Sequence, residues 1–273
     1  MGWVFKDKVV FISGSVGGIG KSTAIAFAKS GAKVIINGCH EEKVKQCHDE
    51  LYQSGLQSTM FVADISQDEA CKKLHDFILN TFGRLDLFIA NAGLSSKDLF
   101  ENTKPEVFKK IVQNNVFSVT SPFYALLPLL KQSQGSFVIV NSLAALQGLP
   151  TSSAYSVSKM GIRAFVESVS PEIQNSGIHL GSIYFGFIKN DESKTTYTGN
   201  GLLVEVPKRE FAVVTRENAV NCILYCCHHR KRNMYVSSLV NIIFFLSRIS
   251  PRLLNYLLRR NMHRFMSAQK INP

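Results

Sequence analysis

Short apolar runs recur along the chain at 8–12 (KVVFI), 33–36 (KVII), 58–63 (STMFVA), 85–90 (LDLFIA), 136–140 (SFVIV) and 178–184 (IHLGSIY). They are nearly continuous in apolar character and rich in β-branched residues, as strands buried on both faces must be. Helical spacing fills the stretches between them. Strands alternating with helices predict a mostly parallel, doubly wound α/β sheet with helices on both faces. Lys21 to Ser30 reads as a helix closed by Gly31, which can adopt the left-handed turn that ends a helix. Thr103-x-x-Glu106, with Pro105 between them, reads as a capping-box start for a helix ending near Asn115. Residues 217–229 read as a core helix leading into a basic turn. Pro171 falls inside the helix after Lys159, where it is expected to remove a hydrogen bond and kink the chain.

The first apolar run leads directly into Ser13-Gly14-Ser15-Val16-Gly17-Gly18-Ile19-Gly20. Strand, glycine turn and helix in succession are the context of a dinucleotide-binding fingerprint. Glycine permits the tight turn and a close approach to pyrophosphate, and the helix N-terminus supplies N–H donors and a positive dipole end. The spacing set by Gly14, Gly18 and Gly20 is Gly-x-x-x-Gly-x-Gly rather than the commoner G-x-G-x-x-G. In open sheets of this Rossmann-like kind, ligands bind at the carboxyl ends of the strands. Gly14, Asn91 and Ser142 are all expected to emerge there.

The second chemical signal is Ser142 followed by Tyr155-Ser156-Val157-Ser158-Lys159. Tyr155 and Lys159, four apart, share one helix face. A free phenol titrates near pH 10 and is a poor acid or base at neutral pH. An ammonium about 4 Å away, at an effective dielectric of about 20, favours the phenolate by roughly 4 kcal/mol. That is enough to bring Tyr155 toward proton exchange with an alcohol or ketone near neutral pH. Alone the pair is weak, because such spacings arise by chance in many helices.

With the glycine turn, however, the chain resembles a short-chain dehydrogenase/reductase of the single-domain group, well over residues 6–188 and loosely beyond. The family's glycine motif matches SGSVGGIG, with Ser13 where threonine is usual. Its adenine-side aspartate matches Asp64, followed by Ile65, and its Asn-Ala-Gly turn matches Asn91-Ala92-Gly93. Its catalytic residues match Asn115, Ser142, Tyr155 and Lys159, in the family's order. Read singly, Ser142 is only a strand-end hydroxyl and Asn115 only a helix C-cap. The resemblance implies that Tyr155 exchanges the proton, Ser142 holds the substrate oxygen, Lys159 also binds the nicotinamide ribose, and Asn115 holds a water linking Lys159 to solvent. It further implies nucleotide contacts from Gly14, Ser15, Gly18, Ile19, Gly20, His40, Asp64, Ile65, Asn91, Ala92, Gly93, Gly186 and Ile188, and a homodimer. The family's Pro-Gly turn reads Phe185-Gly186 here, and its usual threonine is Asn190.

An acid about 20 residues past the fingerprint would bond the ribose 2′-OH of NAD. The matching segment, Ile36-Asn37-Gly38-Cys39-His40, has none before Glu41. Glu41 and Glu42 are expected to open the next helix, where the dipole favours them. Without a carboxylate to repel a 2′-phosphate, NADP(H) is the expected preference. The usual arginine is also missing, Gly17 fills an often basic position, and His40, Lys43 or Ser15 are the substitutes. NAD(H) stays open.

The net charge of +11 is uneven: the first 200 residues hold 19 basic and 17 acidic side chains, the last 73 hold 12 and 3, and no acid follows Glu217. Residues 236–273 interleave bulky apolar residues with arginines and are broken by Pro251. They read as a basic amphipathic extension of two helices on a 1–235 catalytic domain. That extension is expected to lie on an anionic membrane surface, to cover the substrate pocket or a subunit interface, or both. Nothing beyond charge supports nucleic acid as a partner. Residues 186–212 are expected to form a mobile lid. Lid and tail together point to a lipophilic substrate such as a steroid, a 3-keto lipid or a retinoid. Six cysteines without framework spacing are expected to be reduced thiols. Cys222, Cys226, Cys227, His228 and His229 are read as helix residues rather than a metal cluster, so no metal is expected. The first strand is expected to leave no room for a leader peptide, which places the protein in the cytoplasm, with membrane association on the cytosolic face. The competing readings are a non-catalytic nucleotide-binding scaffold or redox sensor, which tends to lose the tyrosine or lysine, and a sugar-nucleotide epimerase, which needs a larger C-terminal domain.

Overall fold

The computed structural model describes residues 3–189, 194–206, 213–262 and 265. Its first half runs β1 (Val9–Ile12), α1 (Gly18–Lys29), β2 (Lys33–Gly38), α2 (Glu41–Gln53), β3 (Ser58–Val62), α3 (Asp68–Phe82), β4 (Leu87–Ala90), α4 (Pro105–Ser133) and β5 (Ser136–Ser142). It continues through α5 (Ser153–Glu172), β6 (His179–Phe185), β7 (Phe187–Ile188), β8 (Thr195–Tyr197), β9 (Leu203–Glu205), β10 (Val213–Val214), α6 (Arg216–His229), β11 (Asn233–Val236), α7 (Ser238–Ile249) and α8 (Pro251–Arg260).

Seven of these strands form one parallel sheet in the order β11-β6-β5-β4-β1-β2-β3. Side chains alternate between the two faces of each strand, and both faces are covered. Val10, Ile12, Val34, Ile36 and Ile89 pack with Phe27, Val44, Leu51 and Ile223 from α1, α2 and α6. Val9, Phe11, Ile35, Phe88 and Phe137 pack with Leu74, Ile78, Phe123 and Ile162 from α3, α4 and α5. On that second face Phe11, Phe88 and Phe137 stack across three neighbouring strands, with ring centroids 4.9 and 4.5 Å apart. The strand order reverses between β1, which pairs with β2, and β4, which pairs with β5. A crevice opens at that switch point, outside the carboxyl ends.

The six expected strands all form. The edge strand β11 was not anticipated; it is four residues long, follows a basic turn, and pairs with β6 from Asn233↔Ser182 to Val236↔Phe185. The helix expected to end near Asn115 runs on to Ser133, through Pro122 and Pro128. Each proline forfeits an i→i−4 bond, but Ile111, Val119, Phe123, Leu126 and Leu130 hold the helix on the sheet. Its N-cap is Lys104, without a side-chain cap bond, and Thr103 donates instead to Leu99 O at 2.8 Å. No capping box forms. Pro171 is the next-to-last residue of α5, where the helix is already ending.

Much of the expected lid is ordered structure. β7 pairs with β10, and β8 with β9 as a hairpin. The hairpin is fastened to the loop before α4: Tyr197 N donates to Ser95 O, Lys97 N to Tyr197 O, and Lys104 N to Gly199 O, at 2.9–3.0 Å. The lid positions 190–193, including Asn190, and 207–212 lie outside the described residues. The tail forms its two expected helices, with Pro251 opening α8. Val240, Ile243 and Leu254 bury themselves against Leu143, Ala145, Leu146 and Tyr184. Among the described residues no helix is long and apolar enough to cross a membrane.

Candidate active site

The glycine turn is held open from the β4 side. Ser13 Oγ accepts from the backbone N–H of Asn91 and of Ala92, both at 3.0 Å. Asn91 Nδ2 donates to Ser13 O and Gly14 O, also at 3.0 Å. Gly14 and Gly18 take φ of +60° and +53°, the left-handed region that favours glycine. α1 begins without an acid in its first turn and without a side-chain cap, so its leading N–H groups are available to an anion. These features fit a pyrophosphate-bearing cofactor.

Asn115 sits mid-helix on α4 and is buried. Its Oδ1 accepts from Leu94 N at 2.6 Å, and its Nδ2 donates to Leu94 O and Ser158 Oγ, both at 2.9 Å. Ser158 Oγ in turn donates to Tyr155 O at 2.7 Å. The amide therefore ties the Asn91-Ala92-Gly93 turn to the helix carrying Tyr155 and Lys159. Neither Leu94 nor Ser158 was singled out by the motifs. Ser158, three residues past Tyr155, could have been found from helical spacing, whereas Leu94 engages through its backbone and leaves no trace in sequence.

Ser142 ends β5 and caps a short 3-10 turn over Leu143–Ala145, its Oγ accepting from Ala144 N. Ser142 is the neighbouring side chain that favours the phenolate of Tyr155. Lys159 is buried, with Nζ 5.7 Å from the Tyr155 ring centroid and 3.4 Å from Val140 O. A side chain added at Gly93 would lie 3.2 Å from Asn115 Oδ1 and 3.7 Å from Lys159 Nζ, so all three converge. Burial lowers the Lys159 pKa to about 8. Burial also raises the Tyr155 pKa above that of a free phenol, and Ser142 only partly offsets it. This differs from the expectation of a depressed tyrosine, because removal from water is the largest influence on Tyr155.

The 2′-phosphate candidates separate. Ser15 is fully buried, and its Oγ accepts from Asn37 N at 2.8 Å, so it is removed from that role. Asn37 is also consumed, donating to Phe61 O and Ala63 O at 3.0 Å. His40 is exposed at the N-cap of α2 without a cap bond, Lys43 is exposed, and Glu41 and Glu42 open the helix as expected. Asp64 Oδ1 accepts from Ser66 N and Oγ. Its charge reaches the exposed Cys39, whose pKa is raised by burial of the thiol and by Asp64. Ile65 is buried in the core, which leaves only its backbone for a nucleotide. A methyl on Gly186 would stand 3.2 Å from Ser237 Oγ and 3.3 Å from Val240. Ile188 packs against the sheet.

Residues 8–200 match the family model for short chain dehydrogenase. The chain is 29% identical over 259 residues to dehydrogenase/reductase SDR family member 7B of Xenopus tropicalis, covering 92% of this chain and 84% of that protein. It is 28% identical over 257 residues to 11-beta-hydroxysteroid dehydrogenase-like 2 of Arabidopsis thaliana, covering 92% and 80%. Among solved structures, a short-chain dehydrogenase/reductase from Burkholderia phymatum in complex with NAD superposes with a TM-score of 0.79 at 17% identity, covering 92% of this chain and 96% of that one. An alcohol dehydrogenase from Thermococcus sibiricus complexed with 5-hydroxy-NADP superposes at 0.71 with 22% identity, covering 84% and 95%. The parallel seven-stranded sheet, the glycine turn braced by Asn91 and the match over residues 8–200 place this chain in the short-chain dehydrogenase/reductase family.

Proposed function

We propose that the chain is an NAD(P)(H)-dependent oxidoreductase, preferring NADP(H), that interconverts a secondary alcohol and a ketone on a lipophilic substrate. The observation that carries this reading is buried Lys159, its Nζ 5.7 Å from the Tyr155 ring centroid and converging with buried Asn115 on Gly93 beside the braced glycine turn. Tyr155 Oη donates its proton to the substrate oxygen in reduction and takes it back in oxidation. Ser142 Oγ donates a hydrogen bond to that oxygen and stabilises the charge that develops there. Below about pH 8 Lys159 carries the positive charge that favours the phenolate. Gly14, Gly18, Ile19, Gly20, Asn91, Ala92, Gly93 and Lys159 would hold a nicotinamide nucleotide, which would supply or accept the hydride. Missing acids between Asn37 and His40, with exposed His40 and Lys43 nearby, support a 2′-phosphate. A lipophilic substrate is supported by the apolar wall that α7 and α8 build behind Ser142, and the plant relative named for hydroxysteroids agrees with it.

Calorimetric titration with NADPH and NADH tests the reading. NADPH is expected to bind about tenfold more tightly, about 1.4 kcal/mol. A preference for NADH overturns the 2′-phosphate assignment, and no binding of either leaves a non-catalytic scaffold. Tyr155→Phe is expected to abolish turnover while keeping cofactor affinity within about threefold. Undiminished turnover removes Tyr155 as proton donor.

A further inference from the structure

We propose that the outer faces of α7 and α8 dock on an anionic lipid bilayer beside the substrate-binding edge of the sheet. This deepens the lipophilic-substrate reading, but its test reads lipid binding alone, so the two can fail separately. α7 is apolar on two sides. Val240 and Ile243 face inward onto Leu143, Ala145 and Leu146, while Ile242, Phe245 and Ile249, spaced i, i+3, i+7 on the opposite side, stay exposed. α8 repeats the arrangement, with Leu254 inward and Leu253, Tyr256 and Leu257 outward. These six outward side chains are between 38% and 78% exposed, and a soluble surface rarely gathers so many large apolar groups on adjoining helices.

The charge identifies the occupant. Arg248, Arg252, Arg259 and Arg260 flank the stripe and are exposed, and no acidic residue follows Glu217 in the sequence. A second copy of this face would bring arginine against arginine, because a two-fold contact pairs the same patch with itself. An anionic bilayer offers both complements: acyl chains for the stripe and lipid phosphates or carboxylates for the guanidinium groups, whose long stems reach past apolar neighbours. Topology puts the face where a lipid-soluble substrate needs it. α7 follows the carboxyl end of β11, the sheet edge from which Ser142 and the glycine turn emerge, and Gln147, five residues past Ser142, donates to Asn255 of α8 at 3.4 Å.

The full chain is sedimented with vesicles of phosphatidylcholine alone and of phosphatidylcholine with about a third phosphatidylserine. Binding is expected to rise about tenfold with phosphatidylserine and to fall as salt is added. Replacing Ile242, Phe245 and Ile249 together by serine is expected to cut binding about tenfold, with thermal unfolding and NADPH binding preserved, because these side chains leave the inner face intact. The triple change Arg252→Ala, Arg259→Ala, Arg260→Ala is expected to remove the phosphatidylserine preference. Equal binding by wild type and both variants, or none by wild type, overturns the proposal. A serine variant that loses an oligomeric state in light scattering instead of lipid binding assigns the face to another copy of the chain and overturns it equally.

Discussion

Two neighbouring glycines in one turn have opposite tolerances. A methyl group on Gly20 would lie 2.3 Å from Gly14 O and 2.6 Å from Asn91 Nδ2, both fixed by the bonds that brace the turn. Gly17 has an extended φ of −164°, and nothing lies within 4 Å of where its Cβ would be. Gly20→Ala is therefore expected to destabilise the fold by about 1–3 kcal/mol and to weaken nucleotide binding at least about tenfold. Gly17→Ala is expected to change stability by less than about 1 kcal/mol. Thermal unfolding and calorimetry on both variants check this. A Gly20→Ala protein with wild-type affinity would mean that the turn yields to the added methyl group. The same residue scale shows what was legible in sequence at Ser142, Tyr155, Asn115 and Lys159: each has the residue type the family pattern expects at that spacing. The protonation behaviour of Tyr155 was not legible, since spacing gives the neighbour but not the loss of water that raises its pKa.

At the scale of elements, strands buried on both faces announce themselves as apolar runs, and β1 through β6 could be read directly. β11 could not: NMYV is short, only half-buried, and gains its place by pairing with β6 and stacking Tyr235 on Tyr184 at 5.1 Å. α4 was misread at its far end: it runs on past Asn115 through Pro122 and Pro128, held by the packing of Phe123, Leu126 and Leu130. The tail was legible as two amphipathic helices with a pocket cover among their expected roles, but its partners were not, since only the fold brings Val240, Ile243 and Leu254 to Leu143 and Leu146. Ending the chain after Ser237 would expose that cluster. Each large side chain uncovered costs about 1.5–3 kcal/mol, so a loss of about 3 kcal/mol or more and a Tm lower by about 6 °C or more are expected. Circular dichroism on the truncated chain measures the shift. An unchanged Tm would make the tail an appendage rather than part of the core.

Across the whole molecule, the edge of the sheet opposite the active site holds an acid-sensitive group. His179 opens β6 and is buried, with Nε2–H donating to Lys231 O at 2.9 Å. Its Nδ1 is also buried and has no partner among the described residues. Ser170, Gln174, Arg230 and Arg232 line the shallow cavity beside it, so the charged groups facing it are both positive. Burial first, then these two guanidinium groups, lower its pKa to about 4, against the pull of the Lys231 carbonyl. In the unfolded chain a histidine titrates near 6.5. Between these values the unfolded state binds a proton that the native state refuses, so acidification from about pH 6.5 to 4 favours unfolding, by up to about 3 kcal/mol. Asp86 acts in a lower window. Arg84, Val9 N and Lys8 together outweigh its burial and hold its pKa below the ordinary 3.8, so its contribution is lost only under stronger acid. Denaturant midpoints measured from pH 7 to 4 are therefore expected to fall in wild type and to fall less steeply in His179→Gln, which keeps a donor for Lys231 O but cannot titrate. Parallel slopes in the two proteins would remove His179 as the source. A flatter slope, with turnover at pH 7 unaltered, would separate the acid lability of the fold from the proton transfer proposed for Tyr155 at the far edge of the same sheet.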